Sequence, residues 1–81
     1  MRVIMGVEIT HREENALRVQ ELLTNHGCSI KTRLGLHEAG NLCSSVGLVL
    51  LEFAPNQDEK ILELEKNLEK LEGVKVRKME F

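Results

Sequence analysis

The chain is 81 residues long, 42% hydrophobic and 30% charged, with a formal net charge of −2, one proline and no Trp or Tyr. That length suits one domain with a modest core, and the slight acidity argues against a direct nucleic-acid surface, which needs a basic patch to neutralise phosphates. No apolar run approaches the ~18 residues of a membrane span, and the first residues lack the apolar centre and cleavage site of a signal peptide.

Residues 2–10 alternate, with Val3, Met5, Val7 and Ile9 on one face, as a half-buried strand requires. Thr10 opens a Thr-His-Arg-Glu pattern, which predicts a capping box between Thr10 and Glu13. A helix follows to about His26, with Ala16, Val19, Leu22 and Leu23 at helical spacing and Gly27 as its left-handed end. Ile30, Thr32, Leu34 and Leu36 alternate with Ser29, Lys31, Arg33 and Gly35, giving a second strand with one polar face. Residues 37–45 are turn-rich and predict a hairpin loop. Residues 46–54 are apolar at nearly every position, which suits a central strand. Pro55 stops that strand, and Asn56 is the expected N-cap of a second helix striped by Ile61, Leu64, Leu68 and Leu71. Its charged face predicts pairs such as Glu63–Lys66. Gly73 ends the helix, and Val74 to Phe81 form a last strand whose alternation slips between Val76 and Met79, the expected mark of a bulge or a frayed end.

The order β-α-β-β-α-β predicts an α+β fold, a ferredoxin-like sandwich spanning residues 1–81 as a single domain. Its sheet is antiparallel in the order 4-1-3-2, with both helices on one face. The two strands placed centrally, the first and third, are also the two richest in apolar residues. On the uncovered side Ile4 and Gly6 face outward. They are joined by Val49, Leu51 and Phe53 or by Leu48 and Leu50, depending on the phase of the third strand. A bare apolar patch of that size predicts a homo-oligomer, dimer or tetramer, joined through sheet face or edge.

His26, Cys28, His37 and Cys43 crowd into 18 residues, yet they do not make one site. The second strand, roughly 26 Å long for about eight residues, separates the first pair from the second. The same distance excludes a Cys28–Cys43 disulfide. A different set is compatible with the topology, because the end of the first strand and the 37–45 loop share one rim of the sheet. His11, His37 and Cys43 are therefore the candidate metal ligands, two imidazoles and a thiolate of the kind that suits nickel, zinc or copper. Cys28, just before a strand, reads as core. Arg33 and His37 are the candidate ligand-binding residues, at a subunit interface near the 37–45 loop and the start of the first helix, with Arg33 as the partner of an anion or of an intersubunit ion pair. No nucleophile–base pair or paired carboxylates can be placed, so no catalytic residue is assigned and the chain is read as non-enzymatic. Two cysteines without a secretion signal fit reduced thiols in the cytoplasm.

Over nearly its whole length the chain resembles the iron-only hydrogenase system regulators. The resemblance rests on Glu21-Leu22-Leu23, Arg33-Leu34-Gly35-Leu36, Gly47-Leu48-Val49-Leu50 and Gly73-Val74-Lys75-Val76, taken in order and spacing. It implies a regulatory or accessory role, with no assigned ligand or reaction. More distantly the chain resembles the C-terminal regulatory domain of the nickel-responsive repressor, one of the ACT-like sensor domains. Cys43 falls near that domain's cysteine, but Leu34 and Leu36 stand where its histidines would be, and His37 is one residue out of phase. The repressor's DNA-binding domain has no counterpart, since residue 2 already lies in the first strand. The resemblance therefore implies that any control of transcription is indirect or acts through a separate DNA-binding partner.

Overall fold

The structure, a computed structural model, describes residues 2–10, 12–36 and 47–81. Along the chain run β1 (Val3–Ile9), α1 (Arg12–Asn25), β2 (Ile30–Leu36), β3 (Gly47–Phe53), α2 (Asp58–Glu69) and β4 (Val74–Glu80). The strands make one antiparallel sheet in the order β2-β3-β1-β4, the expected 4-1-3-2 arrangement read from the other edge.

Period-two alternation in β1 sets the inner face. Met5 and Val7 are fully enclosed, and they sit opposite Leu51 and Val49 on β3 and opposite Lys78 and Val76 on β4. Residues directly opposite share a face, so the phase of β3 follows: Val49, Leu51 and Phe53 turn inward, and Leu48 and Leu50 turn outward. Val19 and Leu23 of α1 and Ile61, Leu64 and Leu68 of α2 close the core over this inner face.

Several local expectations are corrected. The irregularity lies in β2, between Ile30 and Thr32, and not in β4, which pairs with β1 without a break from Val74 to Glu80. Ile30, opposite Phe53, faces inward, while the bulge puts Thr32, Leu34 and Leu36 on the open face and Arg33, opposite Leu51, on the helix side. The slipped pattern of β4 needs no bulge, because Met79 simply faces outward beside Ile4.

Thr10 makes bonds far from the expected capping box, whose Glu13 side chain lies outside the described residues. Its hydroxyl and its backbone N–H both donate to the carbonyl of Gly73, at 2.8 and 2.7 Å. Gly27 is not left-handed; Gly73 is, at φ 80°. α1 instead ends where the His26 ring N–H at Nδ1 donates to the Leu22 carbonyl at 2.9 Å. Asn56 adopts φ 63°, and Gln57 stands at the N-cap without a capping side-chain bond, its Oε1 accepting from Ser29 Oγ at 2.8 Å. Cys28 is exposed, not core. Among the described residues Glu63 pairs with Lys60 at 3.7 Å in place of Lys66, and Glu65 with Lys78 of β4 at 3.0 Å.

The open face carries Ile4 and Gly6 from β1, Leu48 and Leu50 from β3, Leu34 and Leu36 from β2, and Met79 from β4. Leu34 is 52% exposed and Met79 57%. β3 is therefore covered on one side only, and its nearly continuous apolar run supplies both the core and this patch.

Candidate ligand-binding cleft

Ile9, at the end of β1, pairs with Gly47 at the start of β3 and with Val74 at the start of β4, and Leu36 at the end of β2 pairs with Leu48. All four strands thus have an end at one rim. At that rim, on the helix side, α1 and the β2–β3 pair enclose a cleft of about 120 Å³. Ala16, Val19 and Gln20 of α1 form one wall, and Arg33, Gly35 and Val49 of the sheet form the other.

The cleft exists because α1 leaves β2 bare. From Lys31 to Leu36 every residue of that strand is exposed, and Ile30 is half-buried. Val19 packs into the core, while Gln20 one position later is exposed at the cleft mouth. Gly35 adds no side chain, and a Cβ built there would meet nothing within 4 Å. An apolar floor with one guanidinium and one primary amide at the mouth suits a small ligand with an apolar part and an anionic end. The amide can donate or accept, whereas the guanidinium offers only donors in a planar fork matched to carboxylate or phosphate. No described ion pair uses Arg33.

A clamp that the sequence reading missed holds the start of α1 against the same rim. Asn15 Nδ2 donates to the Thr10 carbonyl at 3.1 Å and to the Glu72 carbonyl at 2.8 Å. With the two bonds from Thr10 to Gly73, it ties the end of β1, the first turns of α1 and the α2–β4 turn together. An asparagine on the first turns of an amphipathic helix carries no sequence signal of such a role, because its partners lie 57 and 5 residues away.

A second, wider cleft of about 430 Å³ lies between the last turn of α1 and α2, lined by His26, Cys28, Lys60, Glu63 and Asn67 among others. It is mostly polar. His26 Nε2 stands 3.9 Å from Glu63 Oε2 there, too far for a hydrogen bond.

Of the site residues read from sequence, Arg33 lies at the first cleft, on the helix side and not on a separate polar face. His11, His37 and Cys43 lie outside the described residues. Among the described residues, no group of three or more His, Cys, Asp or Glu stands together as a metal site, and no helix is long and apolar enough to cross a membrane.

No protein-family model and no curated protein matches the chain. Solved structures do. An uncharacterized protein, TM1266 from Thermotoga maritima, superposes with a TM-score of 0.79 at 24% identity, covering 96% of this chain and 92% of that one. The ACT domain from the GTP pyrophosphokinase of Chlorobium tepidum gives 0.70 at 16% identity over 98% of this chain and 97% of that one. The fold is ACT-like. A formyltetrahydrofolate deformylase from Pseudomonas putida KT2440 gives 0.60 at 12% identity, covering 100% of this chain but 29% of the enzyme. The ACT-like arrangement thus occurs both as a short chain and as a part of a larger protein.

Proposed function

We propose that residues 1–81 act as one cytoplasmic regulatory domain, non-enzymatic and homo-oligomeric, that senses a small anionic ligand in the cleft between α1 and the β2–β3 pair. The observation that carries this reading is Arg33. The bulge at the start of β2 turns it from the open face to the mouth of an apolar cleft, where a guanidinium has no structural duty among the described residues. The ACT-like fold supports a regulatory role, and the exposed Cys28 thiol fits a reducing compartment. The bare apolar face supports self-association.

A thermal-shift series with malonate and inorganic phosphate tests the cleft. Binding raises the melting temperature of the wild type, and Arg33→Gln, which keeps an amide but removes the charge, abolishes the rise. An equal rise in Arg33→Gln removes Arg33 from the site. The four sequence blocks shared with the iron-only hydrogenase system regulators support the finer role, control of such a system through a protein partner. Cells lacking the protein then show altered hydrogenase levels, and unaltered levels end that assignment.

A second reading, a metal-binding accessory protein for nickel or zinc, draws on the common rim. The flanks of His11 and of the 37–46 segment leave the sheet side by side, at Ile9 and Gly47. Nickel or zinc then stabilises the wild type and not His37→Ala or Cys43→Ser, read by thermal shift and by metal content after gel filtration.

A further inference from the structure

We propose that His26 is a proton-operated latch, closing on Glu63 to tie the end of α1 to α2 when its ring takes up a proton. The latch stands apart from the anion cleft and does not rest on it.

The ring is set by its own helix. His26 is 9% exposed, and its Nδ1 bonds the Leu22 carbonyl at 2.9 Å, as does its backbone N–H at 3.2 Å. A carbonyl can only accept, so the one proton of the neutral ring is held at Nδ1. Nε2 then presents a lone pair to the polar cleft between α1 and α2. Opposite stands Glu63 Oε2 at 3.9 Å. Two acceptors face each other with no hydrogen to share, and the gap is about 1 Å longer than a charge-assisted hydrogen bond. A proton at Nε2 supplies the missing donor and leaves the Leu22 bond intact. Charging the ring thus adds a bond without breaking one.

The groups around the ring pull in both directions. α1 has no basic residue in its last turn, so His26 is the group at its negative C-terminal end that can become a cation. From α2, Glu63 and Lys60 line the cleft with neutral Asn67, and Lys60 Nζ lies 3.7 Å from the same carboxylate oxygen. The turn after α1 contributes Cys28 as its titratable group, and α1 itself contributes uncharged Leu22 and Asn25. Lys60 is 61% exposed, so its repulsion is screened and its hold on Glu63 is loose. Enclosure of the ring opposes the charge, and the bond to Glu63 decides the balance.

Only the folded chain holds Nε2 against Glu63, so the folded state takes the proton more readily than the unfolded one. The latch therefore adds stability at low pH and releases as pH rises through the imidazole range, about 5 to 8. The start of α2 is already fixed to the turn after α1. Ser29 Oγ donates to Gln57 Oε1 at 2.8 Å, and the Ser29 carbonyl accepts from the Ala54 N–H at 2.8 Å. Glu63 lies further along α2, so the latch adds a second tie between the helices.

Urea unfolding of the full-length chain tests the latch at about pH 5.5 and about pH 8, with wild type, Glu63→Gln, His26→Gln and the double variant. Wild type exceeds Glu63→Gln in midpoint at the lower pH, and the excess disappears at the higher pH. With His26→Gln in both chains the excess is absent at either pH. The lost Lys60 contact cannot mimic this, because both backgrounds share it. An excess equal at both pH values, or one that persists without His26, overturns the latch. Should His26→Gln not fold, proton NMR of chains carrying His11→Gln and His37→Gln reads the single remaining histidine. Its ring titration moves to lower pH on adding Glu63→Gln, and an unmoved titration overturns the latch.

Discussion

Asn15, Thr10 and Gly73 hold the rim through four hydrogen bonds to main-chain carbonyls. Asn15→Ala removes two side-chain bonds to main-chain carbonyls and is expected to cost about 1–2 kcal/mol, read from urea unfolding. Gly73→Ala is expected to cost more. An L residue at φ 80° costs about 1–2 kcal/mol by itself, and the new Cβ would lie 2.6 Å from Thr10 Oγ1, on the side chain whose bond to Gly73 closes the clamp. An unchanged midpoint for Gly73→Ala would show that the clamp is dispensable. Gly73 was legible as a helix end because glycine so often ends helices. The bond of Thr10 to Gly73 was not legible, because its acceptor lies 63 residues away in the chain.

Among the elements, α2 was the easiest to read and β2 the hardest. Ile61, Leu64 and Leu68 recur at helical spacing, and all three are buried against the sheet. Leu64→Ala or Leu68→Ala is expected to lose about 2–5 kcal/mol, whereas Leu62→Ala, 46% exposed on the same helix, changes stability by less than about 0.5 kcal/mol. Equal losses at Leu62 and Leu64 in denaturant unfolding would contradict the assigned buried face. β2 deceived because its pattern runs unbroken from Ile30 to Leu36, while its pairing does not. One extra residue, Lys31, flips everything after it relative to Ile30. That flip carries Arg33 to the helix side, and with it the candidate cleft. The mixed pattern of β4 is the converse, a regular strand whose apolar residues serve two faces.

For the whole molecule, the apolar open face and the bare β2 edge lead to one expectation. Sedimentation at tens of micromolar is expected to give a particle heavier than the 9.2 kDa chain, and a monomer there would remove the homo-oligomer. The sheet order was legible, since the element sequence admits few arrangements and the two most apolar strands take the two central places. The candidate site was legible in part. Arg33 stood out as a candidate anion partner and lies at a cleft, but that cleft depends on α1 stopping short of β2, which no single residue announces. His11, His37 and Cys43 lie outside the described residues, so the metal set is a matter for the nickel and zinc titration.

Periodicity and turn chemistry sufficed to determine the six elements, their order and the inward faces of β1, α1 and α2, because each of these depends on neighbours within a few residues. Tertiary structure alone decided the phase of β3, the side on which Arg33 stands and the ties from Thr10 and Asn15 to the α2–β4 turn. Those outcomes depend on which residue of one strand lies opposite which of another, and that register is set by the joint burial of faces distant in the chain.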